Sequence, residues 1–296
     1  MDTLRRGIFV WIIALSVISI AASCFPAGAQ KDKKPTSPPL PLLTRTTQRH
    51  ESYRFAYGGT VTIAGAPAGS VTIEGWPRSE VDVSADIELH ASTTEDLDRL
   101  APLNGFVVDQ DSNHLRVITT GTHDRAFMKR AAKNFPKALM GLPWRIDYRI
   151  KVPLSTDLDV NSGLGPVRLS GIEGILRLNA IESNADLSLA GGDASIIVQR
   201  GTVNIDIPIR SWRGLGARVQ LASGTLNVAL LPGFNSDIDA DVLRLGEVKN
   251  FYPNLEPRYR NSITAHSIKV RAGSGGAMLS FTVGDGLIQI KQIGSQ

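Results

Sequence analysis

The sequence of 296 residues is poor in the residue types that bind metals or form covalent links. It contains one cysteine, Cys24, and five histidines, which show no metal-binding spacing such as H-E-x-x-H. A lone thiol cannot form an intramolecular disulfide or a thiolate metal site. Aromatic residues make up only 6% of the chain, whereas glycine occurs 28 times. Few large side chains and many glycines favour thin, repetitive β layers over one thick core.

Motifs for nucleophilic catalysis and phosphate binding are missing as well. The chain contains no G-x-S-x-G sequence and no G-x-x-x-x-G-K-[ST] sequence. Its formal net charge of +4 is too small to predict a nucleic-acid partner. We therefore expect no catalytic residue, no metal and no cofactor. A polysaccharide-active enzyme stays open as an alternative, because paired carboxylates have no fixed spacing in a sequence.

The N-terminus has the pattern of an export signal. Arg5 and Arg6 precede an apolar run from Ile8 to Ala22, and Ala27-Gly28-Ala29 supplies small residues for cleavage. The run is short for a transmembrane helix, which needs about 20 residues. We predict a signal peptide over residues 1–29 and an exported product, periplasmic, on the outer surface or secreted. Two alternatives are a lipoprotein anchored through Cys24 and an uncleaved N-terminal membrane tether.

The segment after the signal is rich in proline and charge. Residues 30–49 contain four prolines, which predict a semi-extended linker. We expect the folded domain to cover residues 50–296. Helical spacing interrupts the strand pattern near residues 92–103 and 123–140, so we predict small helical insertions there. Pro136 should limit any helix in the second insertion to the residues before it.

Most of the chain alternates apolar and polar residues in short runs, which is typical of β-strands. From Asp157 onward, runs begin near Pro166, Ile175, Ala185, Ala194 and Thr202, with glycines at the breaks. Evenly spaced strands of this size cannot bury their apolar face alone, so we predict an all-β solenoid or prism of stacked rungs. An antiparallel β-sandwich is the alternative, although Asn-Gly hairpin turns are missing between these strands.

The predicted interior positions of the rungs are all aliphatic, which fits a narrow interior. They are Val167, Leu169, Leu176, Leu178, Leu187, Leu189, Ile196, Val198, Val203, Ile205, Val219, Leu221, Leu226 and Val228.

Four stretches resemble a known family, the bacterial "putative adhesin" domain, also called the toastrack domain. They are GSVTIEGWPRSEVDVSA at 69–85, IDYRIKVPLSTDLDVNSGLGPVRLSGIEG at 146–174, LPGFNSDIDADVLRLGEV at 231–248 and GSGGAMLSFTVGDGLIQIKQ at 273–292. The late rung departs from the family pattern, because it reads LRLGE where the family has an Asn-Gly or Ser-Gly turn. The resemblance implies a surface or envelope role, in adhesion or in envelope-stress signalling, and it transfers no catalytic residue.

Two segments are candidate interaction surfaces. Lys129, Arg130 and Lys133 lie in a basic stretch with interleaved aromatics, which suits either peripheral contact with anionic lipid or acidic polysaccharide, or an insertion that covers a sheet edge. The second segment, residues 249–260, combines aromatic rings with arginines and suits sugar or peptide binding, unless the loop simply packs on the flank of the domain. Its candidate residues are Phe251, Tyr252, Arg258, Tyr259 and Arg260.

A third pattern concerns metal binding. Asp237, Asp239 and Asp241 share one strand face, which suggests either a Ca²⁺ site or, more simply, a solvated face.

These patterns together predict an exported, non-enzymatic, adhesin-like β protein. Its expected partner is an envelope protein or a polysaccharide. An envelope-stress sensor or scaffold is the second hypothesis, and the polysaccharide-active enzyme is the third.

Overall fold

The computed structural model describes residues 42–260 and 262–294. The predicted signal peptide and residues 30–41 of the predicted linker lie outside the described residues. The predicted boundary at residue 50 is wrong, because the first strand already begins at Leu43 and pairs along its whole length with a later strand. Residues 43–49 lack proline, so each can take part in a backbone ladder.

Sixteen strands and three short helices make up this part of the chain. The strands are β1 Leu43–Arg54, β2 Thr60–Ala68, β3 Val71–Trp76, β4 Glu80–Ala91, β5 Gly105–Gln110, β6 His114–Thr120, β7 Trp144–Pro153, β8 Asp157–Leu164, β9 Val167–Ile172, β10 Ile175–Leu189, β11 Asp193–Ile207, β12 Gly216–Leu230, β13 Ser236–Asn250, β14 Leu255–Pro257, β15 Ser267–Ala272 and β16 Met278–Gln292. The helices are α1 Thr94–Leu100, α2 Arg125–Ala131 and a 3₁₀ turn Lys137–Leu139. Within the described ranges, no helix combines the length and apolar character needed to span a membrane.

All strands join in one open sheet, and its central part is a stack of parallel rungs. Ile175 in β10 pairs with Asp193 in β11, which in turn pairs with Gly216 in β12. The central pairs are parallel, as stacking requires, whereas the sandwich alternative needs hairpin-paired antiparallel strands. The stacked all-β prediction is therefore confirmed. Antiparallel pairs occur at the two ends of the stack, for example between β1 and β4 and between β13 and β15.

Each long strand is one bent rung rather than two short strands. The runs at Ile175 and Ala185, which the sequence separates, both belong to β10. Buried positions run Leu176, Leu178, Ala180 and then Ser183, Ala185, Leu187, so the alternation changes phase at residues 181–182. A strand that bends there keeps its apolar side chains on the inside of both halves. The first halves of the long strands form one wall of the prism together with β8 and β2, which we call the first wall. The second halves form the other wall together with β9 and β3, which we call the second wall.

A column of glycines makes the bend possible. Gly201, Gly224, Gly286 and Gly246 occupy equivalent positions on β11, β12, β16 and β13, with φ between +122° and +143°. A Cβ on any of them would lie within 2 Å of the backbone oxygen of the neighbouring rung. Glycine adopts this conformation without steric cost, and it lets the rungs approach closely at the corner.

The interior is narrow and aliphatic, as the sequence predicts. All the predicted interior residues from Val167 to Val228 are at most 3% exposed, and they belong to one continuous hydrophobic cluster. Burial of this cluster is the main stabilising contribution, about 25 cal/mol for each Å² of apolar surface removed from water.

The two walls meet at the end of the prism that contains the first residues of the described chain. β5 is the last strand of the first wall, and β1 is the last strand of the second. The Arg49 guanidinium of β1 lies 4.3 Å from the centre of the Phe106 ring and donates a 2.5 Å hydrogen bond to the Phe106 carbonyl oxygen. Gln110 Nε2 donates to the Arg54 carbonyl oxygen at 2.7 Å. Side chains thus bridge the two strand edges and close this end.

The order of rungs differs from the order of the chain at one point. The last strand, β16, lies between β12 and β13 and pairs in parallel with both. Its side chains Leu279, Phe281, Val283, Ile288 and Ile290 are almost fully buried. β13 therefore stands one rung away from β12, and the C-terminal strand fills the gap between them.

Candidate functional site

The helical insertion after β6 begins with a capped helix. Asp124 accepts hydrogen bonds from the backbone N–H groups of Ala126, at 2.8 Å, and Phe127, at 3.1 Å. These backbone bonds, against the opposing effect of burial, lower the pKa of the Asp124 carboxyl group. α2 ends at Ala131, and Pro136 immediately precedes the 3₁₀ turn, as expected for a residue that cannot continue a helix.

One side of the insertion packs against the domain. Met128 and Leu139 are buried, and Phe135, Leu142 and Trp144 lie partly buried against the hydrophobic core or its rim. The His123 ring lies 5.3 Å from the Trp144 ring, and partial desolvation beside that ring lowers the pKa of His123. The apolar residues of the insertion therefore cover the interior, which is the role that the edge-covering interpretation gives them.

The other side of the insertion is basic and open to solvent. Lys129, Arg130 and Lys133 are exposed, and so are Arg125 and Lys137. Among the described residues, none of these cations forms a salt bridge. Asp124 is the single acidic residue of segment 123–145, and it is already engaged at the helix cap. The structure thus anchors the apolar residues and leaves the predicted basic residues free to meet a partner.

The aromatic segment 249–260 is divided by the structure. Tyr252 is only 6% exposed, and its hydroxyl donates to the Leu231 carbonyl oxygen at 2.9 Å and accepts from the Phe234 backbone N–H at 3.0 Å. Arg258 is also largely buried and forms a salt bridge with Asp239. These two residues hold the loop on the domain, so they are not free to contact a partner.

The remaining candidates in this segment are exposed. Phe251 is 61% exposed and Tyr259 is 64% exposed, and Arg260 is open to solvent. The backbone N–H of Phe251 donates to Ile290 at the end of the second wall, whereas Tyr259 follows Arg258, which pairs with the first wall. The exposed residues of the segment therefore lie apart from one another, whereas Tyr252 and Arg258 stabilise the loop.

The row of aspartates on β13 is paired rather than open. Asp239 pairs with Arg258, Asp237 lies 3.1 Å from Arg271 Nε, and Asp241 accepts a 2.6 Å hydrogen bond from the Ser267 hydroxyl. Each carboxylate has a partner on the neighbouring strand or loop. Within residues 42–260 and 262–294, no group of three or more His, Cys, Asp or Glu side chains is placed to hold a metal ion.

A feature that the sequence analysis missed lies on the outside of the second wall. Asn204 Nδ2 donates to Asp186 Oδ1 at 2.8 Å, and Asn227 Nδ2 donates to Asn204 Oδ1 at 2.8 Å. Arg168 Nε lies 3.6 Å from Asp186, so the row crosses four rungs. We call Arg168, Asp186, Asn204 and Asn227 the polar ladder. Aligning the rungs with each other in the sequence would have placed these residues in one column.

A shorter row lies on the outside of the first wall. Asn179 Nδ2 donates to Asn161 Oδ1 at 3.2 Å. Both residues line a shallow groove together with Ile181, Ile197 and Gln199 near the corner. Hydrogen-bonding side chains thus repeat from rung to rung on both outer faces.

The class of molecule defined by this geometry is a stacked β prism with an aliphatic interior and polar outer walls. No family model matches the chain, and no curated protein matches it. It is similar in fold to a solved structure described as a putative cell adhesion protein from Clostridium sporogenes, at 11% identity and a TM-score of 0.40, covering 84% of this chain and 100% of that one.

Further solved structures show a weaker similarity. One is described as a putative adhesin from Bacteroides fragilis, at 12% identity and a TM-score of 0.32, covering 83% of this chain and 97% of that one. Another is described as a putative lipid binding protein from Parabacteroides distasonis, at 11% identity and a TM-score of 0.22, covering 83% and 96%.

Proposed function

We propose that this protein is an exported, non-enzymatic, adhesin-like module whose rigid walls contact a partner in the cell envelope or at the cell surface. The observation that carries this proposal is the polar ladder. It spans successive rungs of one wall, and every member is at least partly accessible. A surface of this kind recognises a partner by shape and repeated hydrogen bonds, with no reactive group.

The ladder has unused hydrogen-bonding capacity. A side-chain amide has two N–H donors and an oxygen with two acceptor sites, and each contact along the ladder uses one of these. Neighbouring strands lie about 4.8 Å apart, so donors and acceptors repeat at that interval along the wall. An extended polymer running across the strands would meet one such group at each rung, and we therefore favour an envelope polysaccharide over a compact protein partner.

The test is binding of the purified protein to protein-free envelope polysaccharide. We expect the double variant Asn204→Ala/Asn227→Ala to bind about ten-fold or more weakly, because each lost hydrogen bond contributes about 1 kcal/mol. The matched control is Asn161→Ala/Asn179→Ala, which removes the same groups from the first wall. Equal binding by the two double variants would contradict the proposal.

The purified protein and its location in cell fractions also test the two other hypotheses. Release of soluble sugars on incubation would support a polysaccharide-active enzyme and would refute a purely binding role. Retention in the inner membrane together with a protein partner would support the envelope-stress sensor.

A further inference from the structure

We propose that the exposed cations of the insertion, Arg125, Lys129, Arg130, Lys133 and Lys137, dock the domain on an anionic lipid surface. We call these residues the basic face. The proposal rests on the proposed envelope location but not on the identity of any polysaccharide partner. It gives the molecule a membrane-facing region that is distinct from the walls.

The basic face differs from most other charged surfaces of the domain, because it gathers several unpaired cations in one short segment. Many exposed arginines elsewhere pair with acids of the same or a neighbouring strand. Examples are Arg145 with Asp147 at 2.7 Å, Arg149 with Asp86 at 2.6 Å and Arg244 with Asp285 at 2.5 Å. Within the described ranges, the cations of the basic face form no such pair. Their positive charge is therefore not cancelled locally and stays available to an anionic partner.

The basic face has a firm support. Met128 in the same helix is 3% exposed, and Leu139 in the following turn is 7% exposed. Leu139 belongs to the hydrophobic core cluster and Met128 is buried outside it, whereas the lysines are exposed. Phe127 is partly exposed beside the cations, which provides an apolar group next to the charge, as in helices that lie at a membrane surface.

The composition of the basic face favours a lipid surface over a free acidic polymer. A polyanion in solution would use only the charges, whereas a membrane surface also accepts the partly exposed ring of Phe127 beside Lys129 and Arg130.

The experiment measures how the full chain distributes between buffer and lipid vesicles. One vesicle type is phosphatidylcholine containing phosphatidylglycerol, and the other is phosphatidylcholine alone. The apolar residues 8–22 contribute to binding of both types, so the readout is the difference between them. We expect stronger binding to the anionic vesicles, and we expect it to weaken with salt because the Debye length falls from about 10 Å at 0.1 M to about 3 Å at 1 M.

The decisive comparison uses two triple variants with the same net charge. Lys129→Gln/Arg130→Gln/Lys133→Gln should lower the partition coefficient for anionic vesicles roughly a hundred-fold, since each cation near such a surface contributes about 1 kcal/mol. The control, Arg177→Gln/Arg213→Gln/Arg218→Gln, removes exposed and unpaired charges from other parts of the prism and should bind nearly as the parent does. The double variant Lys129→Arg/Lys133→Arg keeps the charge and should also bind.

Three outcomes would overturn the proposal. Equal losses in the two triple variants would mean that only net charge matters. Equal binding of the parent to both vesicle types would mean that the basic face does not contact lipid. Salt-sensitive binding to polygalacturonate that needs Lys129 and Lys133, with no preference for anionic vesicles, would assign the basic face to acidic polysaccharide. Each result is independent of the Asn204 and Asn227 variants, so the two proposals fail separately.

Discussion

Replacing Gly224 with alanine should destabilise the prism more strongly than replacing an exposed turn glycine. Gly224 lies at the bend of β12 with φ of +141°, a conformation that L-residues rarely adopt and that costs about 1–3 kcal/mol. An alanine Cβ there would lie 1.9 Å from the carbonyl oxygen of Gly201 on β11. The clash is with backbone, so it can be relieved only by moving the two strands apart.

The expected magnitude combines the two effects. Separating β11 from β12 at the bend disrupts roughly two backbone hydrogen bonds, each contributing about 1 kcal/mol. With the conformational strain, the total loss is about 3–5 kcal/mol. For a domain of this size, each kcal/mol lowers the melting temperature by about 2–4 °C, so we expect a decrease on the order of 10 °C.

The matched control is Gly233→Ala. Gly233 also has a positive φ, +73°, but an added Cβ would meet nothing within 4 Å. This variant should lose only about 1–2 kcal/mol, the cost of the left-handed conformation. Calorimetry and urea unfolding of both variants measure the difference. If Gly224→Ala and Gly233→Ala unfold alike, the close approach of the rungs at the corner is not a requirement of the fold, and our explanation of the glycine column is wrong.

Two further predictions concern a buried hydroxyl and a carboxylate. Tyr252→Phe removes the hydroxyl that forms hydrogen bonds with Leu231 and Phe234. We expect this variant to lower the free energy of unfolding by about 1–2 kcal/mol without weakening partner binding. Weaker binding at unchanged stability would contradict a structural role for Tyr252. Burial opposes ionisation of Asp147, but hydrogen bonds from the Ser70 N–H and hydroxyl outweigh it and lower the pKa of this carboxyl group. Because the folded pKa is the lower one, this stabilisation is present above the unfolded pKa of about 3.9 and is lost as the pH falls through the folded pKa. In urea unfolding between about pH 5 and pH 2, stability should fall less steeply for Asp147→Asn than for the parent, and equal slopes would count against this assignment.

The aliphatic interior could be predicted from the sequence because alternation is a local property. Leu178, Val203 and Ile205 each follow a polar neighbour, and strand geometry then places them all inside. The bend of each rung could not be predicted in the same way. The phase change at residues 181–182 has the pattern of a break between two strands, and the corner glycines of later rungs, such as Gly201 and Gly224, look in the sequence like turn glycines.

Properties that depend on pairing between distant strands were harder to predict. Equivalent residues are 18 positions apart between β10 and β11 but 23 apart between β11 and β12, so the polar ladder follows from aligning the rungs one by one and not from a fixed period. The burial of Tyr252 depends on Leu231 and Phe234, which precede it by about one rung. The basic face was visible in the sequence because its charges lie close together along the chain, whereas the packing of Leu139 in the core was not.

The place of β16 has a consequence for the timing of folding. β16 is the last strand of the domain to be synthesised, so β13 has no neighbour on that side until synthesis reaches residue 292. Until then the backbone N–H and C=O groups along the facing edges of β12 and β13 lack their ladder partners, and unpaired strand edges are prone to aggregation. Completion of the prism is thereby coupled to delivery of its final strand.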